Sequence, residues 1–171
     1  VGRNGDLRST SFGSFASGYS YLVGADIAAT GLGSRAHGYS RSQEIIASGQ
    51  GSFAFGHARG GDILASDQGA VAMGAARGGD INASGEGAAA LGFTTGTGVS
   101  NILAQQPGSL SGGYALSTAP YTALISGNSR GGIARGMANA AGSDATISAA
   151  GDGAFAAGLA NNGDITASQA G

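Results

Sequence analysis

Apolar and small positions recur along this chain in a fixed pattern. An aliphatic residue is followed six residues later by a glycine, and five residues after that by a second glycine. The aliphatic positions are Leu7, Ile27, Ile45, Ile63, Ile81, Ile102, Ile125, Ile147 and Ile165. The first glycines are Gly13, Gly33, Gly51, Gly69, Gly87, Gly108, Gly131, Gly153 and Gly171. The second glycines are Gly18, Gly38, Gly56, Gly74, Gly92, Gly113, Gly136 and Gly158. These make eight full repeats and the start of a ninth, on a basic period of 18 residues. Two fixed offsets in every repeat mark a stacked architecture, in which each unit buries its apolar side only against its neighbours.

Between the paired glycines the residues alternate with period two, as in a strand. One set is small throughout: Ala16, Ala36, Ala54, Ala72, Ala90, Ser111, Ala134 and Ala156 are its second column. The interleaved positions are larger and more varied, with Phe15, Arg35, Phe53, Val71, Ala89, Leu110, Ile133 and Phe155 in one column. A helix is excluded, because glycines this frequent would each cost about 1 kcal/mol. The pattern predicts two short strands per repeat, one at the aliphatic residue and one between the glycines, joined by Gly-rich corners. The expected fold is an all-β parallel solenoid or β-roll of about eight to nine coils, roughly 40 Å long. Repeat lengths from one first glycine to the next are 20, 18, 18, 18, 21, 23, 22 and 18 residues. The added residues all fall at one corner, between the second glycine and the next aliphatic residue, and the three long corners are 94–101, 115–124 and 138–146. There they are expected to protrude as loops, and to carry any direct contact with a partner.

Composition agrees with this and narrows the function. Glycine supplies 35 of the 171 residues and only 11% are charged. Such a composition by itself signals low complexity, but spaced isoleucines at a strict period argue for ordered stacking. The absence of cysteine removes disulfides and thiolate metal sites. All eight basic residues are arginine, and the formal net charge is −2, which leaves no electrostatic footprint for nucleic acid. No apolar run approaches the roughly 20 residues of a membrane helix, so direct membrane insertion of this segment is not expected. The chain opens on Val1 and closes on a repeat glycine, Gly171. It reads as a single repeat domain over 1–171, cut from a longer repetitive fibre protein.

Candidate chemistry is sparse. The residue before each aliphatic position is Asp6, Asp26, Glu44, Asp62, Asp80, Asn101, Leu124, Thr146 and Asp164. Stacked about 4.8 Å apart, such carboxylates repel unless water, cations or arginine intervene. Arg41, Arg59 and Arg77 each lie three residues earlier, so the expectation is a solvated corner balanced by arginine. A row of calcium sites is the alternative, although the G-G-x-G-x-D nonapeptide of calcium β-rolls is absent. His37 and His57 have no metal-ligating partner at the right spacing. No G-x-S-x-G elbow is present. The corner Arg59-Gly60-Gly61-Asp62 lacks both the lysine and the following helix of a phosphate loop. No enzyme activity and no cofactor are expected. Tyr19, Tyr39, Phe93 and Tyr114 share a column; such a row could stack on sugar rings, but packing against another chain is the more economical reading.

The segments Ser52-Phe53-Ala54-Phe55-Gly56, Ala70-Val71-Ala72-Met73-Gly74 and Ala88-Ala89-Ala90-Leu91-Gly92 resemble the S-V-A-I-G motif in the head domains of trimeric autotransporter adhesins. The preceding A-S-G-Q-G and A-S-G-E-G, and the small residues Ala58 and Ala76, extend the likeness. This chain departs from that pattern in its longer coils and in having Gly where the family motif usually begins with Asn. The resemblance implies a left-handed β-roll, association of three chains, and adhesion to host matrix or to other cell surfaces; a glycan is a further possible ligand.

Which strand face is buried decides the rest. The uniform small face is placed inward against the isoleucine column. A guanidinium such as Arg35 or Arg135 inside a narrow coil would cost several kcal/mol without a partner. Phe53, Phe55, Val71, Met73, Leu91, Phe93, Leu110, Ile133 and Phe155 then point outward as a candidate chain–chain interface. Tyr114, Met137 and Leu159 continue the strip. The reverse assignment, with large side chains filling the coil, also predicts an oligomer. The expected function is a structural or adhesive segment of an extracellular, cell-surface fibre, non-enzymatic and homo-oligomeric, with a trimer favoured. The alternatives are a monomeric solenoid on a flat or polymeric ligand such as ice or glycan, or a virion fibre segment.

Overall fold

The computed structural model describes residues 5–169. Val1 and the ninth first-glycine, Gly171, lie outside the described residues. The chain is an all-β solenoid of parallel strands wound into two sheets. Eight strands form what we call the glycine sheet: Phe15–Ser20, Arg35–Ser40, Phe53–Ala58, Val71–Ala76, Ala89–Gly96, Leu110–Ser117, Ile133–Ala140 and Phe155–Asn161. They define coils 1 to 8 in order. Nine strands form the isoleucine sheet: Leu7–Ser9, Ile27–Ala29, Ile45–Ala47, Ile63–Ala65, Ile81–Ala83, Val99–Ala104, Thr122–Gly127, Ala145–Ala149 and Asp164–Ala167. Each strand pairs with its equivalent one coil away, so Ile63 lies beside Ile81, and Gly56 beside Gly74.

The small face is the buried one. Ala36, Ala54, Ala72, Ala90 and Ala134 have no exposure, and neither do Ile27, Ile45, Ile63, Ile81, Ile102, Ile125 and Ile147. The core is therefore a thin layer of alanine and serine in which isoleucine is the one large side chain. The second glycine explains how it fits. A Cβ at Gly56 would lie 1.8 Å from the carbonyl oxygen of Gly74 and 2.8 Å from Cδ1 of Ile63. The missing side chain gives the isoleucine of the opposite sheet its place and lets neighbouring coils approach. The first glycine meets a different demand: Gly51 turns the corner at φ +66, with nothing near its absent Cβ. Serines in the small columns close their own bonds, as Ser52 Oγ does by donating to the Gly49 carbonyl at 2.8 Å.

The long corners differ from the expectation. The added residues do not form protruding loops; most extend the strands. In coils 5 to 7 the glycine-sheet strands have eight residues instead of six, and the following isoleucine-sheet strands have five or six instead of three. The extensions stay in register and bury Ser100, Ser117, Ala123, Ala140 and Ala145. Ser100 Oγ lies 2.6 Å from Ser117 Oγ inside the widened part. The cross-section grows because small residues continue the inward column on both sheets, so the alternation holds and only the tips at 97–98, 118–121 and 141–144 are turns.

Candidate functional site

The acidic column takes a role different from the expected one. Three of its carboxylates, Asp26, Asp62 and Asp80, and the amide of Asn101 accept a backbone N–H from the coil before. Asp62 Oδ1 accepts from Glu44 at 2.8 Å, Asp80 Oδ1 from Asp62 at 3.0 Å, and Asn101 Oδ1 from Asp80 at 2.9 Å. Arg41, Arg59 and Arg77 do not pair with it. Among the described residues, ion pairs are confined to Arg8, which meets Asp6 and Asp26. The corner separates the charges, with carboxylates on the isoleucine-sheet flank and the three arginines on the glycine-sheet flank. Burial holds the Asp62 carboxyl above its ordinary value; the Glu44 N–H opposes this, and Asp80 adds to it. Glu44 is raised by burial and then by Asp62 and Asp26, with Arg8 opposing.

These shifts fix a sign. A carboxyl raised in the fold contributes stability that is present below the ordinary carboxylate range near pH 4 and is lost as pH rises through its folded value. His57 acts oppositely. Burial, then Arg77 and Arg59, lowers its pKa, so its contribution is lost as pH falls below the ordinary imidazole range. Asp62→Asn keeps the acceptor, as Asn101 does naturally, and is expected to stabilise the chain at pH 7 by a few tenths to about 1 kcal/mol. The gain should vanish at pH 4. Asp62→Ala should instead cost roughly 1 kcal/mol through the orphaned Glu44 N–H. Urea midpoints of the three chains at both pH values measure this, and the difference between chains cancels His57.

The outward face of the glycine sheet gathers the large side chains into three columns. Phe53, Val71, Leu110 and Ile133 are half-buried by their neighbours, as are Met73 and Phe93, whereas Phe55 and Leu91 are exposed and Phe155 is 63% exposed. All nine candidate interface residues therefore lie on one face, as does the column of Tyr19, Tyr39 and Tyr114. Their rings close on one another along the stack. Tyr19 and Tyr39 lie 5.5 Å apart, His37 and Phe55 5.2 Å, and Phe93 and Tyr114 5.3 Å, each pair nearly parallel. Ser17 Oγ is hydrogen-bonded to His37 Nδ1. A groove of about 490 Å³ between Phe15, Arg35, His37, Phe53 and Phe55 interrupts the strip at its start.

The face has one sign of charge. Arg35 and Arg135 rise from it, Arg77 lies over the Phe93 ring at 5.3 Å, and no Asp or Glu among the described residues projects from its strands. Sequence reasoning passed over a second set of exposed apolar residues at the corners of coils 1 and 2. They are Phe12 at 89%, Val23 at 81%, and Leu22 and Leu32. Their signal was available, since each occupies a corner position that is polar, glycine or proline in most other repeats.

Among the described residues no three His, Cys, Asp or Glu side chains come together in a way that could hold a metal ion. Comparison with protein-family models, with curated proteins and with solved structures finds no match to this chain.

Proposed function

We propose that this chain is a non-enzymatic structural and adhesive segment of an extracellular, cell-surface fibre, in which copies associate through the outward face of the glycine sheet. The observation that carries the reading is the strip from Phe15 to Leu159. It is aromatic and aliphatic in nearly every coil and is backed by a parallel sheet of eight strands. Exposed apolar strips of this length mark association surfaces. The S-x-A-x-G likeness favours three copies, with host matrix, cell surfaces or glycans as the outer partner. Light scattering on the purified chain at micromolar concentration tests the association. A mass of several chains is the expected result. A stable monomer overturns it, and would favour a solenoid that binds a flat or polymeric ligand directly.

A further inference from the structure

Three arginines stand in line along one edge of the glycine sheet. Arg41, Arg59 and Arg77 each follow the last residue of a six-residue strand. The ladder holds their backbones in register: Arg41 N–H donates to the Ala58 carbonyl at 2.9 Å, Arg59 N–H to Ala76 at 2.8 Å, and Arg77 N–H to Thr94 at 3.0 Å. Neighbours in the row are therefore one strand spacing apart, about 4.8 Å. All three side chains are exposed. Tyr21 and Thr95, both half-buried, continue the same column in coils 1 and 5, so that it runs for roughly 19 Å along the axis.

No group among the described residues neutralises this row. None of the three guanidiniums forms an ion pair or a side-chain hydrogen bond there. Of the acids three positions on, Asp62 and Asp80 are engaged by backbone N–H groups of their own column. Burial and neighbouring carboxylates raise Glu44 and Asp62, opposed by Arg8 in one and by the Glu44 N–H in the other. The arginines act instead toward the aromatic columns. Arg77 lies over the Phe93 ring at 5.3 Å, and Arg77 and Arg59 add to the burial that lowers His57. Gly60 and Gly61 follow Arg59, and Gly78 and Gly79 follow Arg77, so the corner has no side chain there to cover either guanidinium.

We propose that Arg41, Arg59 and Arg77 bind a linear anionic polysaccharide laid along the solenoid axis, with sulfate or uronate groups of successive sugars on successive guanidiniums. This rests on the adhesive part of the function proposed above and names its ligand. The guanidinium fork suits oxyanions of this kind. A single small anion would meet one or two members of the row, whereas a polymer with a regular charge meets all three. An extended chain of pyranose rings advances by a step comparable to the strand spacing. The phosphates of one DNA strand come about 3.4 Å apart, out of step with the row, and the chain has a net charge of −2. A bilayer is flat, and would bring its anionic surface against Glu44, Asp62 and Asp80 as well. Tyr21 and Thr95 offer hydroxyls to neutral sugars at the two ends.

Calorimetry on the full chain at several salt concentrations tests this, with heparin, which carries sulfate and uronate, and hyaluronate, which carries uronate alone. Binding of heparin is the expected result. Hyaluronate bound equally well assigns the contact to carboxylate, and weaker binding assigns it to sulfate. Arg41→Gln with Arg59→Gln and Arg77→Gln is expected to weaken heparin binding about tenfold or more. The slope of log affinity against log salt should fall by about two to three. Arg59→Gln alone should weaken binding severalfold, whereas Arg130→Gln, which removes the same charge from the opposite edge in coil 7, should change nothing. Circular dichroism checks that each variant keeps its strands. Absence of binding to both polysaccharides, an unchanged affinity in the triple variant, or equal losses in the two single variants overturns the proposal. So does a single-stranded oligonucleotide or a phosphatidylserine vesicle bound as tightly as heparin at the same salt, since the row would then sense charge alone. Light scattering keeps the two readings apart. A chain that associates without binding either polymer loses this ligand only, and a monomer that binds through the row loses the association only.

Discussion

Replacing Gly74 by alanine is expected to cost more than about 4 kcal/mol or to prevent folding, well above the usual range for a single substitution. The new Cβ would stand 1.8 Å from the Gly92 carbonyl oxygen and 2.9 Å from Ile81 Cδ1, on a backbone at φ +146. Neither obstacle is free to move. The carbonyl belongs to the next coil's ladder, and the isoleucine fills the centre of the core. The first glycine of the same repeat should behave differently. Gly69 sits at φ +66 with its nearest neighbour, Gly87 Cα, 3.9 Å from an added Cβ. Asparagine adopts this conformation elsewhere in the chain, at Asn162 with φ 53. Gly69→Asn is therefore expected to cost about 1 kcal/mol or less. Urea titration followed by circular dichroism separates the two, and equal losses would show that the close approach between coils is not what the second glycine serves.

Ile81→Ala is expected to destabilise by about 3 to 4 kcal/mol. The cost lies at the high end for the deletion of an aliphatic side chain, because the site has little means of collapsing. Its neighbours across the core are alanine and glycine, too short to reach into the space, and both sheets are held at fixed spacing by their ladders. Ile165, half-buried in the last described coil, should lose less than half as much on the same change. Thermal midpoints of the two variants give the comparison, and equal shifts would mean that the isoleucines do not act through burial.

The architecture was legible because it repeats. No single glycine reveals a strand, but Ile63, Gly69 and Gly74 recurring as Ile81, Gly87 and Gly92 leave only a stacked coil. The inward face was legible from Arg35 and Arg135, which could not share a thin core with isoleucine. Two features were misread for the same reason. The segments after Gly92, Gly113 and Gly136 looked like loops because they were long and mostly polar or small. A core built of alanine and serine is itself small, and Ala115 with Ser117, and Ala138 with Ala140, already continued the inward column. Arg59 looked like the partner of Asp62 because it lies three positions before it. Two glycines between them turn the chain from one sheet to the other, so closeness in sequence became separation across a corner.

Because every coil holds only the coil above and the coil below, the molecule also has a characteristic response to tension along its axis. One 18-residue coil contributes about 4.8 Å of height while stacked, yet spans roughly 60 Å once drawn out. Peeling a single coil would therefore pay out more than ten times its stacked height in slack, while the remaining coils keep their ladders. A tether built this way gives under load in steps and leaves the rest of its length intact.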